Sequence, residues 1–182
     1  TAFTSGIVRQ HNEAKPLMAL TDEQILALTP DQLAMRNVWC PKCGNGGMMD
    51  FDYRDPVRIT CRKCRATFPS AEYPNNESPE FLSVFGEKMR IPHYRDPNGK
   101  LHATYGFLMK HKHNWVTFQG SRAAYAYRRT GDERYAERVK LIQRHLGPDY
   151  MAGSLEFIVD YALPGGRQIL LCGLQEYVQG EV

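Results

Sequence analysis

Two copies of Cys-x-x-Cys, Cys40-Pro41-Lys42-Cys43 and Cys61-Arg62-Lys63-Cys64, stand with 17 residues between them, and this spacing constrains the chain more than any other feature. A Cys-x-x-Cys turn aims two sulfurs at one point, and a short hairpin returns the second pair to it. The pattern therefore predicts one zinc ion in a closed shell of four thiolates. Two disulfides or four unrelated buried thiols are the alternatives, and the regularity of the two steps argues against both. A closed shell leaves no position for water or substrate, so the zinc is expected to be structural: it folds the module and does no chemistry. Gly44, Gly46 and Gly47 are read as supplying the positive backbone angles of the first knuckle. Met48, Phe51, Val57 and Ile59 are the expected small apolar core.

Around that module, 182 residues with 42% hydrophobic and 11% aromatic content suffice for one domain beside a small module. A mean hydropathy of -0.50 and the lack of an apolar run of about twenty residues argue against a membrane span. The formal charge of +3 falls to about +1 once four thiolates and one divalent ion are counted, which is too little to imply nucleic acid.

Along the chain, residues 1–35 read as a helical leader, 36–70 as the zinc ribbon, and 71–182 as helix pairs with a β-hairpin near 91–108. In the leader, Thr21 with Gln24 forms one capping box, and Thr29-Pro30 with Gln32 forms a second that opens another short helix. Pro69 to Pro79 has the composition of a linker ending in a helix cap at Ser78, with a short helix through Phe81, Leu82 and Phe85 to follow. Asp96-Pro97-Asn98-Gly99 predicts a turn between strands at Ile91 to Arg95 and Lys100 to Phe107. Trp115 to Arg129 reads as a helix broken at Thr130-Gly131, and Asp132 caps the next, whose stripe is Tyr135, Val139, Ile142 and Leu146. Further amphipathic stretches follow through Leu155 to Ala162 and Ile169 to Val178. The last reaches Val182 uncapped, and the chain opens on Thr1 rather than methionine, so a piece of a longer chain is expected, with Leu170, Leu174, Tyr177 and Val178 as a face prone to self-association.

Three runs in order carry a resemblance: Leu20-Thr21-Asp22-Glu23-Gln24 before the first cysteine pair, Phe68-Pro69-Ser70 after the second, and Thr130-Gly131-Asp132-Glu133-Arg134-Tyr135-Ala136 after an aromatic helix. In these the chain resembles, over nearly its whole length, the N-terminal part of heparinase II/III-like polysaccharide lyases. The resemblance implies a mainly α fold, with helical hairpins of an incomplete (α/α) toroid preceded by a small β zinc ribbon. It also implies a periplasmic or extracellular enzyme that cleaves acidic, uronate-containing polysaccharides by β-elimination, although a cytoplasmic location stays open. Such elimination requires a group that neutralises the carboxylate, a Tyr or His base and an acid for the leaving oxygen. In the family these lie mostly on later toroid helices and a C-terminal β-sandwich. No catalytic residue is therefore named here, and the chain is expected to be inactive without the remainder of the full-length protein.

The dense polar and aromatic run from His93, Tyr94 and Arg95 through His102 and Tyr105 to His111, His113, Asn114 and Trp115 reads either as the rim of a sugar cleft or as an ordinary polar hairpin with a core tryptophan. Its candidate substrate contacts are Tyr105, His113, Asn114 and Trp115. His111 and His113 lack a third ligand for a second metal site, Cys172 sits in an apolar run as a core thiol, and Arg122, Arg128 and Arg129 read as a solvated face. The alternative from another class is a non-catalytic zinc-ribbon module that holds nucleic acid or protein through Lys42, Arg62, Lys63 and Arg65, against which stand Asp50, Asp52 and Asp55 of the same ribbon.

Overall fold

The computed structural model describes residues 14–30, 38–46, 48–82 and 88–145. They fall into two compact units, 14–30 with 113–145 and 38–112. Four helical segments and seven short antiparallel strands make a mixed architecture of small β elements plus helices among the described residues.

In the first unit, α1 (14–18) precedes α2 (Asp22–Leu28). The capping box at the start of α2 is present: Thr21 Oγ1 accepts from the Gln24 backbone N–H at 3.3 Å, and Gln24 Oε1 accepts from the Thr21 N–H at 2.9 Å. Ile25 and Leu28 are the buried face. Thr29, from which a second helix is expected to open, also closes α2, its backbone extended at φ -74 and ψ 135 as a residue before proline requires. Gln32 and the helix expected there lie outside the described residues.

α3 (Thr104–Thr130) enters this unit at His113. It ends at Gly131, whose φ of 69 lets its N–H reach the Tyr127 carbonyl at 2.8 Å, a left-handed cap. Asp132 then opens α4 (133–145), accepting from the Arg134 N–H at 3.1 Å. Tyr135, Val139 and Ile142 are buried along one stripe as the spacing predicts, and Arg138 of α4 pairs with Asp22 of α2. Leu146, the stretches after it, Cys172 and the apolar face near Val182 lie outside the described residues.

The second unit holds the ribbon: β1 (Met49–Phe51), β2 (Ile59–Cys61) and β3 (Thr67–Phe68), antiparallel in the order β1-β2-β3, with Met49 opposite Cys61 and Ile59 opposite Phe68. Its core differs from the expected one. Met48 and Val57 are exposed, while Val38, Met49, Ile59 and Phe68 cluster with Tyr73, Tyr94, Phe107, Leu108 and Met109. Strand period explains the first exchange, since Met49 and Phe51 share a face that Met48 cannot. The ribbon thus shares its core with the following hairpin and the first turns of α3.

Three other expectations are corrected here. The stretch 69–79 is a strap rather than a linker: Tyr73 packs between Phe68 and Tyr94, with ring centroids 5.0 and 5.5 Å away, and Glu77 bridges His93. No helix begins at Ser78; Glu80–Leu82 forms β4, paired with β5 (Lys88–Arg90), and Phe85 lies outside the described residues. The predicted turn is present, Asp96 Oδ1 accepting from the N–H groups of Asn98 and Lys100 and Gly99 at φ 84. Its strands are only β6 (Tyr94–Arg95) and β7 (Leu101–His102), however. The chain turns helical at Thr104 because burying Phe107, Leu108 and Met109 on the ribbon overrides the strand pattern read through Phe107.

Candidate metal centre

The two cysteine turns have the same backbone. In the first, the Gly44 N–H donates to the Cys40 carbonyl at 2.8 Å and the Cys40 N–H to the Asn45 carbonyl at 2.8 Å. In the second, the Arg65 N–H donates to the Cys61 carbonyl at 2.9 Å and the Cys61 N–H to the Ala66 carbonyl at 2.8 Å. Gly44 at φ 67 and Arg65 at φ 61 occupy the same left-handed position. Of the other two glycines expected to share that role, Gly46 has no positive φ, and Gly47 lies outside the described residues.

This repetition brings the sulfurs together across the turns. Cys40 Sγ lies 3.6 Å from Cys64 Sγ and Cys43 Sγ 3.7 Å from Cys61 Sγ, with all four ligand atoms within 4.8 Å of one another. A disulfide would hold two sulfurs at about 2.05 Å, and the four cysteines are free. A tetrahedron of thiolates about 2.3 Å from a metal has edges of about 3.8 Å. The donor set is therefore close enough to hold a metal ion.

Electrostatics point the same way. Burial pushes the Cys40 thiol up to about 12, and neighbouring Cys64 adds to this. At Cys61 burial also acts upward, but the backbone N–H groups of Cys64 and Lys63 together with the Cys40 and Cys64 side chains bring the thiol down to about 7. Four crowded thiols cannot all ionise alone; a soft divalent cation removes that obstacle.

The two arginines of the second turn are committed locally. Arg62 Nε donates to Asp50 Oδ1 at 2.6 Å and an Arg65 guanidinium nitrogen to Asp50 Oδ2 at 3.2 Å, which holds the Asp50 carboxyl below its ordinary range. Arg58 pairs with Asp55, 3.7 Å away.

The candidate sugar contacts are distributed differently. Tyr105 is half-buried against the core of the second unit, whereas His113, Asn114 and Trp115 belong to the first. His113 is buried, which lowers its pKa; Asn114 is exposed and Trp115 half-buried. Consecutive helical residues point about 100° apart, so these three face successive directions. His93, Tyr94 and His102 of the same run are buried, His93 Nδ1 lying 2.7 Å from the Ile91 carbonyl and His102 Nε2 3.1 Å from Asp96. His111 lies between the rings of Phe51 and Phe107, at centroid distances of 6.0 and 4.8 Å. Among the described residues the four cysteines are the one group able to hold a metal ion, and no helix is long and apolar enough to cross a membrane.

One residue escaped the sequence reading. Trp39, next to the first cysteine, is 62% exposed and pairs in an isolated bridge with Gly46. An aromatic residue bordering a glycine-rich knuckle was the available signal. Comparison with protein-family models, with curated proteins and with solved structures finds no match.

Proposed function

We propose that Cys40, Cys43, Cys61 and Cys64 hold one structural zinc ion, and that the ribbon they fold opens a polysaccharide lyase of the heparinase II/III-like kind. The sulfur spacing of 3.6 and 3.7 Å across the knuckles carries the zinc reading, being close to the edge of a thiolate tetrahedron. Zinc supplies folding energy here and no open coordination position. The lyase reading rests on the order of the three sequence runs, supported by a helix pair hinged at Thr130-Gly131-Asp132.

On this reading the chain is the N-terminal portion of a periplasmic or extracellular enzyme, an incomplete (α/α) toroid follows the ribbon, and the substrate is a uronate-containing polysaccharide. Tyr105, His113, Asn114 and Trp115 contact sugar, while the groups that move protons at the uronate are contributed by the remainder of the protein. The ion pairs of Asp50 with Arg62 and Arg65 weigh against the alternative of a nucleic-acid module, because they withdraw two of the cations it would use.

Metal analysis of the purified protein is expected to give one zinc per chain, and four oxidised cysteines would refute the centre. Elimination is tested by unsaturated-uronate absorbance. The full-length protein should produce it from heparan sulfate, alginate or a related polymer, and residues 1–182 alone should not. Trp115→Ala in the full-length protein should weaken binding of a uronate oligosaccharide, whereas a loss of stability of about 3–5 kcal/mol with binding intact would assign the ring to the core.

A further inference from the structure

We infer that Trp39 is a sugar-stacking platform on the zinc ribbon, a polysaccharide contact separate from the helical candidates. The inference deepens the lyase reading and rests on it for the class of ligand.

The geometry of the platform is built by Gly46. A Cβ placed on Gly46 would lie 2.6, 2.8 and 3.0 Å from three carbons of the Trp39 six-membered ring. The indole therefore rests on bare backbone, at a distance no other residue would permit. Gly46 has no positive φ, so its own conformation does not demand glycine; the approach of the ring does. Large aromatic rings normally bury most of their area. Here the ring is braced on one side by the knuckle and the residue stays 62% exposed. The knuckle in turn is fixed by the cysteine turn and by the hydrogen bond of the Cys40 N–H to the Asn45 carbonyl at 2.8 Å. The result is a flat, rigid, wet aromatic surface, which loses little freedom on binding.

Charge selects among flat ligands. Residues 38–68 carry six Lys and Arg against three Asp, and a zinc tetrathiolate adds two further negative charges, so the ribbon is nearly neutral. Arg62 and Arg65 are held by Asp50, and Arg58 by Asp55. Binding to single-stranded nucleic acid couples base stacking to a strongly basic groove, and a nearly neutral ribbon with Arg58, Arg62 and Arg65 paired to aspartates is poorly suited to supply one. A pyranose ring presents an apolar C–H face to an aromatic surface without needing many cations. Exposed Lys42 and Lys63 on the two turns suit the sparse carboxylates of a uronate chain.

The test follows the two tryptophan side-chain N–H signals of the protein by NMR, assigned through Trp39→Phe, while alginate oligosaccharide, heparan sulfate oligosaccharide or poly(dT) is added. Expected are a shift of the Trp39 signal with a uronate oligosaccharide and affinity about tenfold weaker in Trp39→Ala, the scale of one aromatic stacking contact. Trp39→Phe should recover part of the loss. Gly46→Ala, which lifts the indole without removing it, should also weaken binding, with zinc still at one per chain. If uronate oligosaccharides move other signals but leave Trp39 still, the platform is refuted and the lyase reading stands. If Trp39 answers poly(dT) alone, the platform is refuted in favour of a nucleic-acid contact. If no oligosaccharide moves any signal, the platform is likewise refuted, while elimination by the full-length protein decides the lyase reading independently.

Discussion

The two knuckles of the metal centre reach the same geometry with different residues at the strained position. After Cys43 the chain places Gly44 at φ 67, and after Cys64 it places Arg65 at φ 61. Glycine enters that region freely, whereas a side chain there costs about 1 kcal/mol. At Arg65 the side chain gives something in return: it reaches the Asp50 carboxylate that Arg62 also holds. The first knuckle uses its freedom otherwise, laying Trp39 over Gly46. Both turns share their backbone hydrogen bonds and their sulfurs; they differ in that one carries glycine at the left-handed position and the other an arginine tied to Asp50 of β1.

The sharpest challenge to this equivalence is removal of one ligand from each side. Structural zinc contributes about 10–16 kcal/mol in small modules, comparable with the whole stability of a domain. Cys40→Ser and Cys61→Ser should therefore each release zinc and unfold the ribbon to the same extent, with lower solubility and a lower melting temperature. Retention of one tightly bound zinc by either variant would show that its knuckle is dispensable.

Exchanging the strained residues probes the difference itself. A Cβ on Gly44 meets nothing within 4 Å, so Gly44→Ala isolates the backbone penalty and should destabilise the zinc-loaded protein by about 1 kcal/mol in urea unfolding. Arg65→Gly should recover a similar amount, reduced by whatever the Asp50 contact supplies. A Gly44→Ala variant as stable as the parent would mean that φ is not what separates the knuckles.

The common part of the site was legible because metal-ligand spacing is a local code: Cys40, Cys43, Cys61 and Cys64 come together as their sequence order implies. The Thr21 capping box, the turn at Asp96 and the break at Gly131 were legible for the same reason, each being decided within a few residues. What escaped was set by distant partners. Met48 looks as apolar as Met49, and only the pairing of Met49 with Cys61 decides which of them is buried. Pro69 to Pro79 has linker composition, yet Tyr73 is drawn between Phe68 and Tyr94. Trp39 was passed over because the only signal, an aromatic residue beside a glycine-rich knuckle, does not reveal that a glycine seven positions away acts through close approach rather than through φ.

A smaller effect is expected from the clamp. Asp50→Asn should leave zinc content unchanged and free Arg62 and Arg65, so that the ribbon binds heparin or poly(dT) more strongly at low salt, with the gain lost as salt rises. Unchanged retention on a heparin column would show that Asp50 does not hold those cations in solution.

The smallest expected difference is the acid response of His111, which lies against Phe51 on the strand that carries Asp50. Burial lowers its pKa below the usual 6.5, helped by the charges of Lys110 and Arg62 and opposed by Asp50. Its Nε2 is buried with no hydrogen-bond partner among the described residues. Folding therefore favours neutral imidazole. The contribution is fully present above the unfolded value of about 6.5 and is lost as pH falls through it toward the lower folded value, because there the unfolded chain binds a proton that the folded one refuses. His111→Phe keeps a ring between Phe51 and Phe107 while removing the titration. Urea midpoints at saturating zinc, taken from about pH 8 down to about pH 6, should fall less steeply in this variant than in the parent. The effect should be smaller than that of the Gly44 exchange, because the imidazole is only half-buried and keeps part of its hydration. Parallel slopes would mean that His111 stays solvated, and that the contact between β1 and α3 is looser than the ring distances of 6.0 and 4.8 Å indicate.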